Sequence, residues 1–281
     1  MNAARVKELA LARGASAAGV APASDLAEFR RFSESVTLIP EGLLYLKRDP
    51  LIRKSVKKWH PSARSVLVCA FRYWTPDMDY AAALAAAGDP ADFLRRTGRR
   101  AFQPGPLKDG VKISRYALCR DYHAVIKEKL AALLEDIRKE APEAEGKVFC
   151  DTSPVMEKEL ARLAGLGFRG KNTLLLSRKL GSYLFLGGIA LNLSLAADEP
   201  SEDSCGACQQ CEKACPTKAL RNGRLDPARC LSYWTTQSKA RMPQEAADRN
   251  PGWGYGCDIC QEACPQNKAP GKISPGFETI K

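Results

Sequence analysis

Apolar positions recur with a helical period in three stretches and run continuously in two others. Residues 3–14 read as a short amphipathic helix that Gly14 stops. Residues 122–139 read as a longer one, with Ile126, Leu130, Leu133, Leu134 and Ile137 on one face. A third helix is expected after Asp151, with Ser153 as N-cap, Pro154 in the first turn and Gly165 as its stop. The run VLVCAF inside 65–72 is apolar at every position, as a strand covered on both faces requires. KVFC at 147–150 is a short strand leading into Asp151. Residues 180–197 carry no charge but are broken by glycines, Ser182, Asn192 and Ser194, so they read as strand, glycine turn, strand rather than a membrane span. The Ala-rich and Arg-rich stretch 77–107 reads as an insertion or loop.

Strands and helices interleave up to about residue 200, which implies an α/β layered domain over 1–200. Beyond AADEPSED the chain turns into short, Cys-rich, Pro-punctuated segments, and 201–281 is expected to form a second, smaller unit. With 281 residues, 45% hydrophobic and 27% charged, the composition excludes a disordered or fibrous chain. The N-terminal residues carry scattered charges and no apolar run, and Arg30-Arg31 is followed by no hydrophobic stretch, so no export signal is expected. A cytoplasmic protein without membrane attachment follows as the expectation.

Eight of the 11 cysteines fall after residue 204, a clustering that indicates metal ligation rather than disulfides. Cys205, Cys208, Cys211 and Cys215-Pro216 form C-x2-C-x2-C-x3-C-P, the bacterial ferredoxin run for a 4Fe–4S cluster. Cys230, Cys257, Cys260 and Cys264-Pro265 supply a second set. Three thiolates on a tight loop grip one cubane, while the fourth lies past the turn and points away. In two-cluster proteins that fourth residue ligates the other cluster. The expected ligand sets are therefore Cys205, Cys208, Cys211 and Cys264 for one cluster, and Cys215, Cys230, Cys257 and Cys260 for the other. Zinc ribbons usually show two separated C-x2-C pairs without the compact triple. Two clusters in short reach imply electron transfer.

Two look-alikes fail on context. Gly165, Gly167 and Gly170 match G-x-G-x-x-G, but they follow a helix and no acidic residue lies between 170 and 198 to hold a ribose. The same stretch nearly matches a phosphate-binding G-x4-G-K loop, yet Asn172 stands where Ser or Thr is needed. These glycines still let backbone approach something closely.

The net charge of +11 includes a local surplus between Arg95 and Lys129, where ten basic residues face Asp109, Asp121 and Glu128. With Tyr116 and Tyr122 interleaved, this stretch suggests an RNA-facing surface.

The segments SRYALCRDYH (114–123), DTSPVMEKELARLAGLGFRGKNTLLL (151–176), GSYLFLG (181–187), RCLSYWT (229–235) and GCDICQEACPQN (256–267) together resemble the epoxyqueuosine reductase family. The resemblance extends to RDP at 48–50 and PSARSV at 61–66. It implies an α/β cobalamin-binding domain similar to that of reductive dehalogenases, followed by a ferredoxin-like α+β domain with two 4Fe–4S clusters. It implies reductive removal of the epoxide oxygen of epoxyqueuosine in the tRNA anticodon loop, giving queuosine. By the same resemblance Asp151 is the proton donor, while Arg53, Leu175, Leu186, Ser232 and the Cys257-Asp258 pair line the cobalamin. Lys239 aligns with a tRNA-contacting lysine. The implied partners are the tRNA anticodon stem-loop and an electron donor such as a flavodoxin or ferredoxin, acting on a monomer. Cys119 departs from the family's usual glycine.

For Asp151 to act as an acid near pH 7, burial under an apolar corrin must raise its pKa from the ordinary value of about 3.9, against the pull of a helix starting near Ser153. His60 and His123 are the only histidines. Asp121-Tyr122-His123 begins a D-x-H-x-x-G signature for histidine-ligated cobalamin, but position 126 is Ile, so His123 reads as a capping or surface residue. Two other functions remain open on the residues: a reductase with the same cofactors acting on a small molecule, and an electron-carrying iron–sulfur protein.

Overall fold

The structure is a computed structural model that describes residues 1–99 and 110–280. Its centre is a four-stranded sheet. Strands β1 (Ala17–Pro22), β2 (Ser65–Arg72), β3 (Gly146–Phe149) and β4 (Leu184–Leu191) lie in the order β1-β2-β4-β3, with every neighbouring pair antiparallel. All eight residues of β2 are buried. Leu67, Cys69 and Phe71 enter the core on one face, and Val66 and Val68 enter the core on the other. The period-2 alternation of a strand thus serves two apolar layers, which is why its sequence shows no alternation at all.

Helices α1 (Ala3–Ala12) and α2 (Tyr122–Glu140) cover the first face. The Asn2 side chain caps α1 by accepting from the Arg5 amide at 2.9 Å, and Gly14, at φ +88°, ends the segment. α2 turns Ile126, Leu130, Leu133 and Ile137 inward, a stripe at i, i+4, i+7 and i+11. Burying each such side chain contributes roughly 1.5–3 kcal/mol. The second face is covered by α3 (Glu157–Leu163) together with Val56 and Trp59.

Three sequence expectations are corrected. First, α3 begins at Glu157, with Met156 in the cap position and no side-chain cap bond; Ser153 and Pro154 lie in a bend before it. Asp151 is in the left-handed region at φ 48°, so the chain has to turn before a helix can start. Second, residues 184–191 form one strand, with Gly187 and Gly188 inside it rather than at a turn. A Cβ on Gly188 would lie 2.3 Å from the Leu67 carbonyl oxygen and 2.5 Å from the Phe149 ring, so glycine is there for space. Third, the described part of 77–107 is not a loop. It holds two helices, Tyr80–Ala87 and Pro90–Arg96, capped by the Asp79 and Asp89 carboxylates. Positions 100–107 lie outside the described residues.

The Cys-rich part consists of short helices, Gln210–Ala214, Leu231–Thr236 and Ile259–Glu262, with a small hairpin pairing Leu220–Arg221 with Arg224–Leu225. It is tied to the first part at several points. Trp253–Tyr255 pairs in parallel with Lys112–Ile113. Beyond it the chain returns to the core, where Phe277 is fully buried against Phe71 and Phe185, with ring centroids 5.9 and 5.1 Å away. Cys119 is buried, donates to the Tyr116 carbonyl at 3.3 Å and bridges to Thr279. Burial pushes its thiol up to about 12, so it is a core thiol. No helix among the described residues is long and apolar enough to cross a membrane.

Candidate active site

The electrostatic couplings among the late cysteines fall mostly within the two expected sets. Burial raises the Cys211 thiol to about 11, helped by the nearby Cys205, Glu212 and Cys264. Cys264 is raised in turn by burial, Cys205 and Cys208. In the second set Cys257 is shifted upward by burial and by Cys230, Asp258 and Cys215, and Cys260 by burial, Cys257, Cys230, Asp258 and, from the first set, Cys211. Thiols that oppose one another's ionisation in this way are held as thiolates only by a cation among them. Among the described residues no three Cys, His, Asp or Glu side chains converge on one metal ion. A cubane asks for something else, because each of its thiolates binds a different iron atom. The donor chemistry and the grouping fit two cubanes.

A cavity of about 500 Å³ opens between the end of the sheet and the Cys-rich part. All four cysteines of the second set line it, and none of the first set does. Tyr122, Asp151, Glu157 and Lys158 line it too, together with Leu184, Phe185 and Leu186 of β4. The turn after Gly170 contributes Asn172, Thr173 and Leu174. The Asn172 side-chain Oδ1 accepts from the Leu174 amide at 3.2 Å, but its buried Nδ2 has no hydrogen-bond partner among the described residues. A buried amide donor left unpaired on a cavity wall marks where a ligand acceptor belongs.

Asp151 sits at the junction of β3 and the bend before α3. His123, in the first turn of α2, places Nε2 3.0 Å from Asp151 Oδ2 and Nδ1 2.8 Å from Asp121 Oδ1. Both ring nitrogens face carboxylates, and only the imidazolium donates from both. The His123 pKa is accordingly raised, chiefly by its bond to Asp151. Asp151 is lowered, first by His123 and then by a hydrogen bond from Tyr122, which together outweigh desolvation. Among the chain's own groups, His123 and Tyr122 favour the ionised Asp151 carboxylate, and Asp151 favours the protonated imidazole. Tyr122 is stacked between the His123 ring and Phe185, at 4.0 and 4.3 Å, which fixes the arrangement. The Asp151 amide donates to the Glu157 carboxylate. Desolvation, with Asp151 close by, pushes Glu157 up to about 8.

Of the other expected residues, Leu186, Ser232 and Asp258 line the cavity. Asp258 is fully buried and accepts from the Ser114 hydroxyl and, at 2.8 Å, from the Arg115 amide. Leu175 does not line it: it is buried in the core behind Leu174. Arg53 does not line it either. Its guanidinium lies 5.7 Å from the Phe32 ring centroid, and its charge reaches Tyr45, which also feels Asp151. Lys239 is exposed beyond the Leu231–Thr236 helix, away from the cavity.

The basic stretch 95–129 is not a uniform outer surface. Arg115 is enclosed by Tyr80, Trp74 and Tyr183 and paired with Asp258 and Glu262. Tyr116 and Tyr122 face the cavity, and Arg100, Lys108 and Asp109 lie outside the described residues. Sequence reasoning missed His123, Glu157, Lys158 and Asn172 as site residues. The available signals were the DYH triplet, set aside as a failed motif, and the K-N-T segment, which counted toward the resemblance but not toward the site.

Residues 53–152 match the family model described as epoxyqueuosine reductase QueG, DUF1730, and residues 204–267 match the 4Fe-4S double cluster binding domain. The chain is 39% identical over 243 residues to an epoxyqueuosine reductase of Synechocystis, covering 81% of this chain and 75% of that one. It is 47% identical over 156 residues to an epoxyqueuosine reductase of Leadbetterella byssophila, covering 56% and 52%. The chain thus spans between about half and three quarters of the length of these curated relatives. Among solved structures, an epoxyqueuosine reductase with an epoxyqueuosine-modified tRNA-Tyr stem loop superposes with a TM-score of 0.78 at 28% identity, over 99% of this chain and 68% of that one. A reductive dehalogenase with a suggested B12-dependent mechanism shares the fold at 17% identity and a TM-score of 0.53, over 97% of this chain and 32% of that one. By the identity and coverage of these matches, the chain belongs to the epoxyqueuosine reductase family.

Proposed function

We propose that this protein reduces epoxyqueuosine to queuosine in the anticodon loop of tRNA, using two 4Fe–4S clusters and a cobalamin bound in the cavity. One observation carries the reading: all four cysteines of one expected cluster set line the same cavity as Asp151, whose carboxylate His123 Nε2 reaches at 3.0 Å. Cys205, Cys208, Cys211 and Cys264 hold the outer cluster, and Cys215, Cys230, Cys257 and Cys260 the inner one. The wall suits a corrin, a flat apolar ring fringed with amides: leucines and aromatics offer apolar contact, while Ser232 and the unpaired Asn172 amide offer hydrogen bonds. Electrons come from a one-electron carrier such as a flavodoxin or ferredoxin.

Converting an epoxide to an alkene consumes two electrons and two protons and releases the oxygen as water. When bound, the cobalt corrin supplies a nucleophile toward carbon and the clusters supply electrons singly. The chain supplies the protons. Asp151 accepts the His123 proton along the 3.0 Å bond and presents it to the departing oxygen. Glu157, raised to about 8, holds a second proton beside Asp151 at neutral pH. Leu184, Leu186 and Phe185 keep the site apolar, so a filled cavity excludes water and strengthens each of these bonds.

Nucleoside mass spectrometry of tRNA from a deletion strain tests the function. Accumulation of epoxyqueuosine with loss of queuosine is expected. Unchanged queuosine overturns the reading and points to a small-molecule substrate.

A further inference from the structure

Lys171 belongs to the glycine-flanked stretch that matches no nucleotide-binding context, and the reaction as described does not use it. It reaches from the first part of the chain to the Cys-rich part. Its ammonium donates to the Gly206 carbonyl at 2.8 Å and the Cys208 carbonyl at 2.9 Å, and its backbone amide points at the Cys205 sulfur at 3.4 Å. One residue therefore grips both ends of the Cys205–Cys208 loop. The local fold explains the aim. Thr173, at φ 66°, closes a tight turn by donating to the Gly170 carbonyl at 2.9 Å, so Lys171 faces the loop while Asn172 and Thr173 face the cavity. A Cβ on Gly170 would lie 2.5 Å from the Leu176 side chain, so the turn admits no larger residue without a shift.

Backbone amides serve both cysteine sets: Gln266 and Asn267 for Cys264, and Ala219 and Ser232 for Cys215 and Cys230. The charges differ. The inner set has the carboxylate of Asp258 beside Cys257 and Cys260, already paired with Arg115 at 3.1 Å. The outer set has the Lys171 ammonium on its own ligand loop, and Glu212 there turns its carboxylate to the Gly223 amide at 2.8 Å. A fixed positive charge next to a cluster favours its reduced form, which carries one more negative charge.

Resting on the cluster assignment above, we propose that Lys171 is a positioning residue for electron delivery. Its charge favours the reduced form of the outer cluster, held by Cys205, Cys208, Cys211 and Cys264, so that this cluster fills more readily from a one-electron donor of the flavin or iron–sulfur class. The donor loses one electron and the cluster gains it; no bond breaks and no proton moves.

The test is a redox titration of the reconstituted protein followed by low-temperature electron paramagnetic resonance, with the outer-cluster signal identified by its loss in Cys264→Ala. Lys171→Gln keeps reach and N–H donors but removes the charge; Lys171→Arg keeps the charge. Expected in Lys171→Gln is a fall of about tenfold in the reduced-to-oxidised ratio of the outer cluster at fixed poise, about 59 mV for one electron. The inner cluster and Lys171→Arg stay at parental values. Equal shifts of both clusters, or none, overturn the proposal. If Lys171→Gln loses the outer cluster while Lys171→Arg keeps it, the charge serves assembly of the cluster rather than its reduction and the proposal fails. If both variants lose it, the loop needs bracing by lysine alone and the proposal fails. Iron analysis of the parent separates this from the cluster assignment, which fails if the parent holds fewer than two cubanes.

Discussion

The His123 imidazole bridges two carboxylates, with Nε2 3.0 Å from Asp151 and Nδ1 2.8 Å from Asp121. Asp121 also caps α2 by accepting from the His123 amide at 3.0 Å, so the helix start that places the ring also orients it. An acid site built this way recharges through the imidazole rather than by direct protonation of a low-pKa carboxylate.

His123→Gln removes the proton supply but leaves the cavity walls in place. Turnover of the epoxide substrate is expected to fall by about 10²-fold or more, with little change in KM. Steady-state kinetics on epoxyqueuosine-containing tRNA decide this. A rise in KM with unchanged turnover would assign His123 to binding instead.

The two histidines are expected to titrate on opposite sides of the ordinary imidazole value. His60 is lowered, first by burial and then by Lys147; His123 is raised, first by Asp151. Proton NMR of the two imidazole C–H signals reads both, and Asp151→Asn should move only His123, downward. The stability linkage follows the same signs. The His123 contribution is complete below its unfolded value of about 6.5 and is lost as pH rises through its higher folded value. The Asp151 contribution is complete above about 3.9 and is lost as pH falls through its lower folded value. The stability gap between parent and Asp151→Asn should therefore be widest between those limits.

Cys264 lies in the second C-x-x-C-x-x-x-C-P run but groups with the first set. Cys264→Ser is expected to disturb the cluster of Cys205, Cys208 and Cys211, and Cys215→Ser that of Cys257 and Cys260. Iron content and paramagnetic resonance of the two variants should show the loss of different signals. Loss of the same signal in both would contradict the crossed grouping.

Gly19 on β1 faces the C-terminal end of α3. A Cβ there would lie 2.1 Å from the Ala164 carbonyl oxygen, which is backbone and unable to swing aside. Gly19→Ala is expected to destabilise the protein by about 1–3 kcal/mol or more through displacement of α3. Urea unfolding measures it, and an unchanged midpoint would refute the close approach.

Lys239 is exposed and not among the cavity-lining residues, so its contact with tRNA is one of phosphate charge. Lys239→Ala is expected to weaken tRNA binding evenly across sequences and to reduce the slope of log K against log salt by about one. Filter binding at several salt concentrations checks this. An unchanged slope would remove Lys239 from the interface.

What the sequence determined by itself was chemistry written over short distances. Cysteine spacing on tight loops marked the double-cluster segment, because ligand geometry is set within a few residues. The apolar stripe of α2 and the unbroken apolar run of β2 were legible for a similar reason: helical and strand periods act locally. Tertiary structure decided the rest. His123 and Asp151 are far apart in sequence, on α2 and after β3, and become an acid pair only because both elements pack against β4. Gly187 and Gly188 read as a turn in sequence, but crowding by Leu67 and Phe149 makes them strand. Burial under a corrin is expected to raise Asp151, and the fold also brings His123 and Tyr122 beside it, which act in the opposite direction. The energy of a charged group depends on what the folded chain places within a few ångströms of it, and neither composition nor periodicity carries that information.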